Sequence, residues 1–293
     1  MNPNYQDIMV FFTLLLFWIG IQFDQVVEDS IAYLLVISVG IIHGANDLVI
    51  LKKKENNNSK FLTSLAGYLF LIFACMLSFI ISPFISLILF IIISAYHFGE
   101  QHLENTLSVN RYIKSIIYAL YGCVILLMIF KLNSNDVDEI VYNISGKYFS
   151  KKHITTALIF ASSIVGLFFL YEYLIKKTVK LNLLRELFYF ILLYLLFKTT
   201  SLIFGFAVYF ILWHSIPSII DQTKYLSGIL NKKNLYRYFK TAVIIWVISL
   251  IGLFSAYYYF EKKLFSSILF ILLFSVTAPH VWVIYRMKKK PNV

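Results

Sequence analysis

Long apolar runs separated by short polar breaks fill the chain from one end to the other. A bilayer core needs about 20 apolar residues per helix, within a range of roughly 17–25. On that ruler the pattern predicts spans near 8–23, 31–51, 61–81, 83–98, 112–132, 154–175, 182–198, 201–219, 241–260 and 264–285. The expected fold is all-α: a polytopic membrane helix bundle of about ten transmembrane helices, forming a single integral membrane domain over residues 1–293. Two junctions are narrow. Pro83 alone divides the third span from the fourth, and Lys198-Thr199-Thr200 divides the seventh from the eighth. Either pair, read here as two spans, could instead be a re-entrant hairpin or one broken helix. The longest polar stretch, about 133–153, reads as an outer loop. The opening MNPNYQD has no basic region and no small-residue cleavage site follows the first run, which therefore reads as a span and not as a signal peptide.

Composition agrees with the pattern. Hydrophobic residues make up 60% of the 293 and charged residues only 14%, whereas a soluble domain is near half apolar and a quarter charged. The net charge of +11 comes from short basic clusters between apolar runs, such as Lys52-Lys53-Lys54, Lys232-Lys233 and Lys288-Lys289-Lys290. That distribution is what membrane topology requires, and it argues against a nucleic-acid partner. Most clusters fall on the side of the amino terminus, while the first opposite loop, DQVVEDS, is acidic. The positive-inside rule then places both termini in the cytoplasm and the chain in the cell (inner) membrane, multi-pass, with membrane lipid as its solvent. The 28 Phe, 21 Tyr and 4 Trp either line a tunnel for a long polyene or reflect a Phe-, Ile-, Lys- and Asn-rich usage. Cys75 and Cys123 lie within apolar runs and read as packing residues.

Four histidines change the picture: His43 in GIIHGANDL, His97 in SAYHFGEQH, His214 in LWHSIPSIID and His280 in TAPHVWV. A neutral imidazole inside a membrane is a costly polar group, and its chief uses are metal ligation and proton handling. Under the ten-span topology the second, fourth, eighth and tenth helices run the same way, each with its histidine toward the cytoplasmic end. At about 1.5 Å rise per residue, His43 lies roughly 13 Å from Lys52 and His280 roughly 9 Å from Arg286, so one metal centre at a shared depth is geometrically allowed. Taken singly, each histidine reads as an interhelical hydrogen-bonder more than as a ligand; the four together, at one depth, favour a metal. Asp47, four residues after His43, shares its helix face, where it or a carboxylate from a partner helix could hold an imidazole N–H and fix the tautomer. Glu100, three after His97, and Asp221, seven after His214, share faces with their histidines or else cap helix ends. His102 and His153 read as interfacial, with His102 also a candidate outer partner of the His97 region.

The motifs HGAND, YHFGEQ, WHS and PH, in this order over nearly the whole chain, resemble the Brp/Blh membrane proteins, microbial β-carotene dioxygenases associated with retinal supply for rhodopsins. The resemblance implies non-haem Fe2+ bound by histidines, dioxygen as co-substrate, and cleavage of the central double bond of β-carotene to two retinals. His43, His97 and His214 match the family's motifs directly. Two positions depart: Leu48 stands where many relatives have a second histidine after HGAxD, and Ser218 where some have the second histidine of HSxxH. The fourth ligand is therefore taken as His280, with a water held by Ser218 as the fallback. Two other classes remain: a proton- or ion-coupled transporter using the histidines and Asp47 as a relay, and a carotenoid- or retinal-binding protein without cleavage.

Overall fold

The computed structural model describes residues 3–55, 57–104, 106–176, 182–259 and 262–289. Among these every regular element is a helix. The chain runs through α1 (Pro3–Gln22), α2 (Gln25–Leu35), α3 (Ile41–Gly44), α4 (Asp47–Glu55), α5 (Asn58–Ile81), α6 (Pro83–Leu103), α7 (Arg111–Leu132), α8 (Ser134–Ser145), α9 (Lys151–Tyr171), α10 (Leu183–Thr199), α11 (Leu202–Val208), α12 (Ile216–Ser227), α13 (Lys232–Tyr259) and α14 (Lys262–Lys288). Three π-helical segments, Val36–Gly40, Glu172–Lys176 and Tyr209–Ser215, lie within this series. In hydrocarbon every backbone polar group must be satisfied internally, and helices do this within one segment.

Helix starts follow the expected chemistry. Asp24, Asn57, Asn110, Asn182 and Ser201 each accept a hydrogen bond from a backbone N–H in the first turn of the helix they open. Eight helical stretches among the described residues are long and apolar enough to cross a membrane, including Gln25–Glu55, which joins α2 to α4, and Leu202–Ser227, which joins α11 to α12. The two other segments expected to span coincide with α10, of 17 residues, and α14, of 27. The narrow junctions are true helix ends: α5 stops at Ile81 and α6 restarts at Pro83, and α10 gives way to α11 across Thr200 and Ser201. The segment around 133–153 is not a plain loop. It contains α8, whose Val137 and Val141, one turn apart, are buried; its polar face had masked that spacing.

The chain divides into two compact units. Unit 1 comprises Met1–Val36, Ile91–Val141 and Lys147–His214. In it α7 packs on α9 and α10, and α11 packs on α2. Its core includes Tyr121, Ile125, Ile129, Leu196, Phe197, Phe204 and Trp213. Here α6 and α7 meet backbone to backbone: a Cβ added at Gly99 would overlap the Tyr118 carbonyl, and one at Gly122 would overlap that of Ala95. Small residues are what let membrane helices approach so closely, and this contact fixes the turn that carries His97. Unit 2 comprises Ile37–Phe90, Tyr142–Gly146 and Ser215–Val293. Its α14 packs on α4 and α5, and α13 on α3 and α12, around Ile50, Leu51, Tyr68 and Val283.

Candidate functional site

Three of the four histidines sit beside a helix irregularity, and the fourth lies next to a close helix contact. His43 lies in the single turn of α3, between the π segment Val36–Gly40 and the break at Ala45-Asn46. His214 is inside the π segment Tyr209–Ser215, and His280 follows Pro279, which interrupts the backbone ladder of α14. His97 lies two residues before the Gly99 contact. π segments recur at functional sites, and here one contains His214 and another precedes the turn of His43; all four histidines are at least nine-tenths buried.

In unit 2, His43 and His280 are neighbours, with ring centres 4.7 Å apart and planes at 80°. His43 Nδ1 is 2.6 Å from the Gly40 carbonyl oxygen, so in the neutral ring Nδ1 carries the proton and the lone pair is on Nε2. His280 Nδ1 is 2.8 Å from Asp47 Oδ1, which assigns the same tautomer. The other Asp47 oxygen accepts from the Tyr68 hydroxyl at 3.2 Å. The backbone of His43 is held separately. Gln222 Nε2 donates to the His43 carbonyl (2.9 Å) and to Ser218 Oγ (3.0 Å), and Tyr238 donates to Gln222 Oε1 at 2.8 Å. Asn46 ties the break to α13, donating to the Tyr238 carbonyl and accepting from Thr241 Oγ1.

In unit 1, His97 and His214 form a second pair, with ring centres 4.6 Å apart and planes at 73°. Phe98 and Phe210 pack on the His214 ring. Glu100 is buried one turn from His97; its Oε2 is 3.9 Å from His97 Nδ1, and its Oε1 accepts from Tyr96 at 3.4 Å.

Among the described residues no group of three or more His, Cys, Asp or Glu side chains is arranged to hold a metal ion; what the structure presents is one imidazole pair in each unit. Within each pair the rings meet edge to face, with centres 4.7 and 4.6 Å apart. An imidazole whose far nitrogen donates to a carboxylate or backbone carbonyl is the usual form of a metal-ligating histidine, and His280 and His43 both have it.

Residues 34–288 match the family model of beta-carotene 15,15'-dioxygenase. The chain belongs to the beta-carotene 15,15'-dioxygenase family. The match takes in all four histidine motifs. Membership points to a carotene dioxygenase, an oxidoreductase acting on β-carotene, and the long apolar helices make it a membrane protein. Comparisons with curated proteins and with solved structures gave no match.

Asp47 engages His280 on α14 and not His43 on its own stretch. Ser218 is buried and bonded to Gln222, while Asp221, one turn on, is half-buried. His102, expected to be interfacial, has its side chain covered by protein. Its side chain is only 6% exposed and its Nε2 lies 3.1 Å from Glu186 Oε2, which also accepts from Tyr121 at 3.0 Å. The ring stacks on Tyr121. Adjacency to the polar stretch after α6 had suggested water, yet the helix turns this residue into the unit 1 core. His153 is exposed. Sequence reasoning missed Tyr68, Gln222, Tyr238 and Glu186. Of these, Glu186 carried a signal, being an acid in the first turn of an apolar helix; the other three had none.

Proposed function

We propose that this protein cleaves the central 15,15′ double bond of β-carotene with dioxygen, giving two molecules of retinal, and does so with an Fe2+ ion held by His43, His97, His214 and His280. The observation that carries the reading is the family match across all four histidine motifs. The two imidazole pairs support it, since imidazole suits iron and four ligands on a six-coordinate ion would leave two positions for dioxygen and alkene. When bound, iron supplies the redox chemistry that makes dioxygen reactive toward an alkene.

The protein's own part is positional. The Gly40 carbonyl and Asp47 hold the N–H of their histidines and aim the opposite nitrogens. Gln222 and Tyr238 keep the His43 turn from unwinding. Phe98 and Phe210 keep water from the His214 ring and offer an apolar lining to a hydrocarbon substrate. The balance needs nothing more: one carbon–carbon double bond breaks, one oxygen atom goes to each carbon, and no reductant or net proton enters. This is why no general acid or base is assigned. A lipid-soluble hydrocarbon enters such a site from the bilayer, and the retinal formed suits supply to a microbial rhodopsin.

Cells that make β-carotene are expected to lose its colour and accumulate retinal when this chain is expressed with oxygen and iron. A transporter leaves the pigment unchanged. A binding protein retains carotene and yields no aldehyde. The topology that goes with this reading has ten spans and both termini in the cytoplasm of a cell-membrane protein. Reporter fusions at residue 140 and at the C-terminus should then report opposite sides, and same-side signals would overturn it.

A further inference from the structure

Asp47 has two oxygens, and the structure uses both: Oδ1 meets His280 Nδ1 at 2.8 Å and Oδ2 accepts from the Tyr68 hydroxyl at 3.2 Å. Asp47 is 1% exposed, His280 3% and Tyr68 8%. The last torsion of an aspartate is broad and roughly two-fold, so one hydrogen bond to His280 leaves the carboxylate plane loosely set. A second donor on the opposite oxygen sets it. Tyr68 is itself rigid: its ring is packed in the cluster of Ile50, Leu51 and Val283, drawn from α4 and α14. The hydroxyl therefore reaches Asp47 from a fixed base on α5, a third element besides those carrying Asp47 and His280.

We infer that Tyr68 is a positioning residue for the metal centre, acting through Asp47 to hold His280 in the Nδ1–H tautomer with Nε2 directed to the ion. The inference rests on the reading that His280 is a ligand. It predicts that Tyr68 has no effect of its own once Asp47 can no longer act as a carboxylate, because the chain of contacts is Tyr68, Asp47, His280 in series.

The test is a double-mutant cycle read by binding of Co2+ to the metal-free full-length protein in detergent, followed by its visible absorption. Loss of an outer partner costs about 10–100-fold in metal affinity. Asp47→Asn is expected to fall in that range, Tyr68→Phe toward its lower end, and the double variant to match Asp47→Asn alone. Losses that multiply in the double variant, or an affinity unchanged in Tyr68→Phe, would overturn the inference. A second measurement needs no variant: histidine nitrogen NMR of the metal-free wild type should show His280 protonated on Nδ1, and a proton on Nε2 would overturn it equally. Wild-type protein that binds no Co2+ and no iron would instead sink the metal reading in Proposed function, so the two failures are distinguishable.

Discussion

Replacing either His43 or His214 by Ala is expected to abolish retinal formation and to lower iron affinity by more than about 100-fold, beyond the 10–100-fold that loss of an outer partner costs. The two substitutions touch different pairs, since His43 neighbours His280 in unit 2 and His214 neighbours His97 in unit 1. Equal loss from both is what a single four-histidine centre requires. Were the unit 1 pair only a packing feature, His214→Ala would weaken folding through its contacts with Phe98 and Phe210 and leave iron bound. Iron content of the folded variants, measured beside retinal, separates the cases: full iron retention in His214→Ala contradicts the four-ligand assignment.

The largest expected effect on stability lies away from the histidine pairs. Glu186 is buried and takes hydrogen bonds from His102 and Tyr121, and removing one partner of a buried pair costs about 3–5 kcal/mol. Glu186→Ala should therefore lower the midpoint of thermal unfolding sharply in detergent, and Glu186→Gln, which keeps an acceptor for Tyr121, should lower it less. Because the proposed reaction balances without a protein acid or base, retinal formed per folded molecule should survive Glu186→Gln. Loss of turnover in a folded Glu186→Gln protein would show that the cluster takes part in the chemistry.

The helices were legible because a membrane demands about 20 apolar residues at a stretch, and that signal survives without tertiary information. Each expected span falls on a helix or on a run of joined helical segments, to within several residues at the ends. The histidines were legible for the complementary reason: a polar ring in an apolar run stands out. What could not be read was the pairing. Asp47 sits four residues from His43 but bonds His280, 233 residues away, a choice made by how α14 packs on α4. The π segments at Val36–Gly40 and Tyr209–Ser215 add one residue to a turn inside uniformly apolar sequence, where no periodicity records it. His102 was misread because its neighbours in the chain are polar, while its neighbours in space are Tyr121, Trp213 and Glu186.

The departures at Leu48 and Ser218 now have a structural setting. Leu48 packs against the cluster of Ile50, Leu51, Tyr68 and Val283, so an apolar side chain suits that position. Ser218 anchors Gln222, which in turn holds the His43 carbonyl. Neither position supplies an imidazole, and His280, aimed by Asp47, is the histidine that the proposal puts in their place.

The most direct measurement of the central claim is a chromatographic assay on purified wild-type protein, loaded with Fe2+ and given β-carotene in detergent under air. The account predicts two molecules of retinal for each β-carotene consumed, and none under argon or after iron is removed. Iron-loaded protein that binds carotene but yields no aldehyde, or that yields retinal equally well without iron, would contradict it.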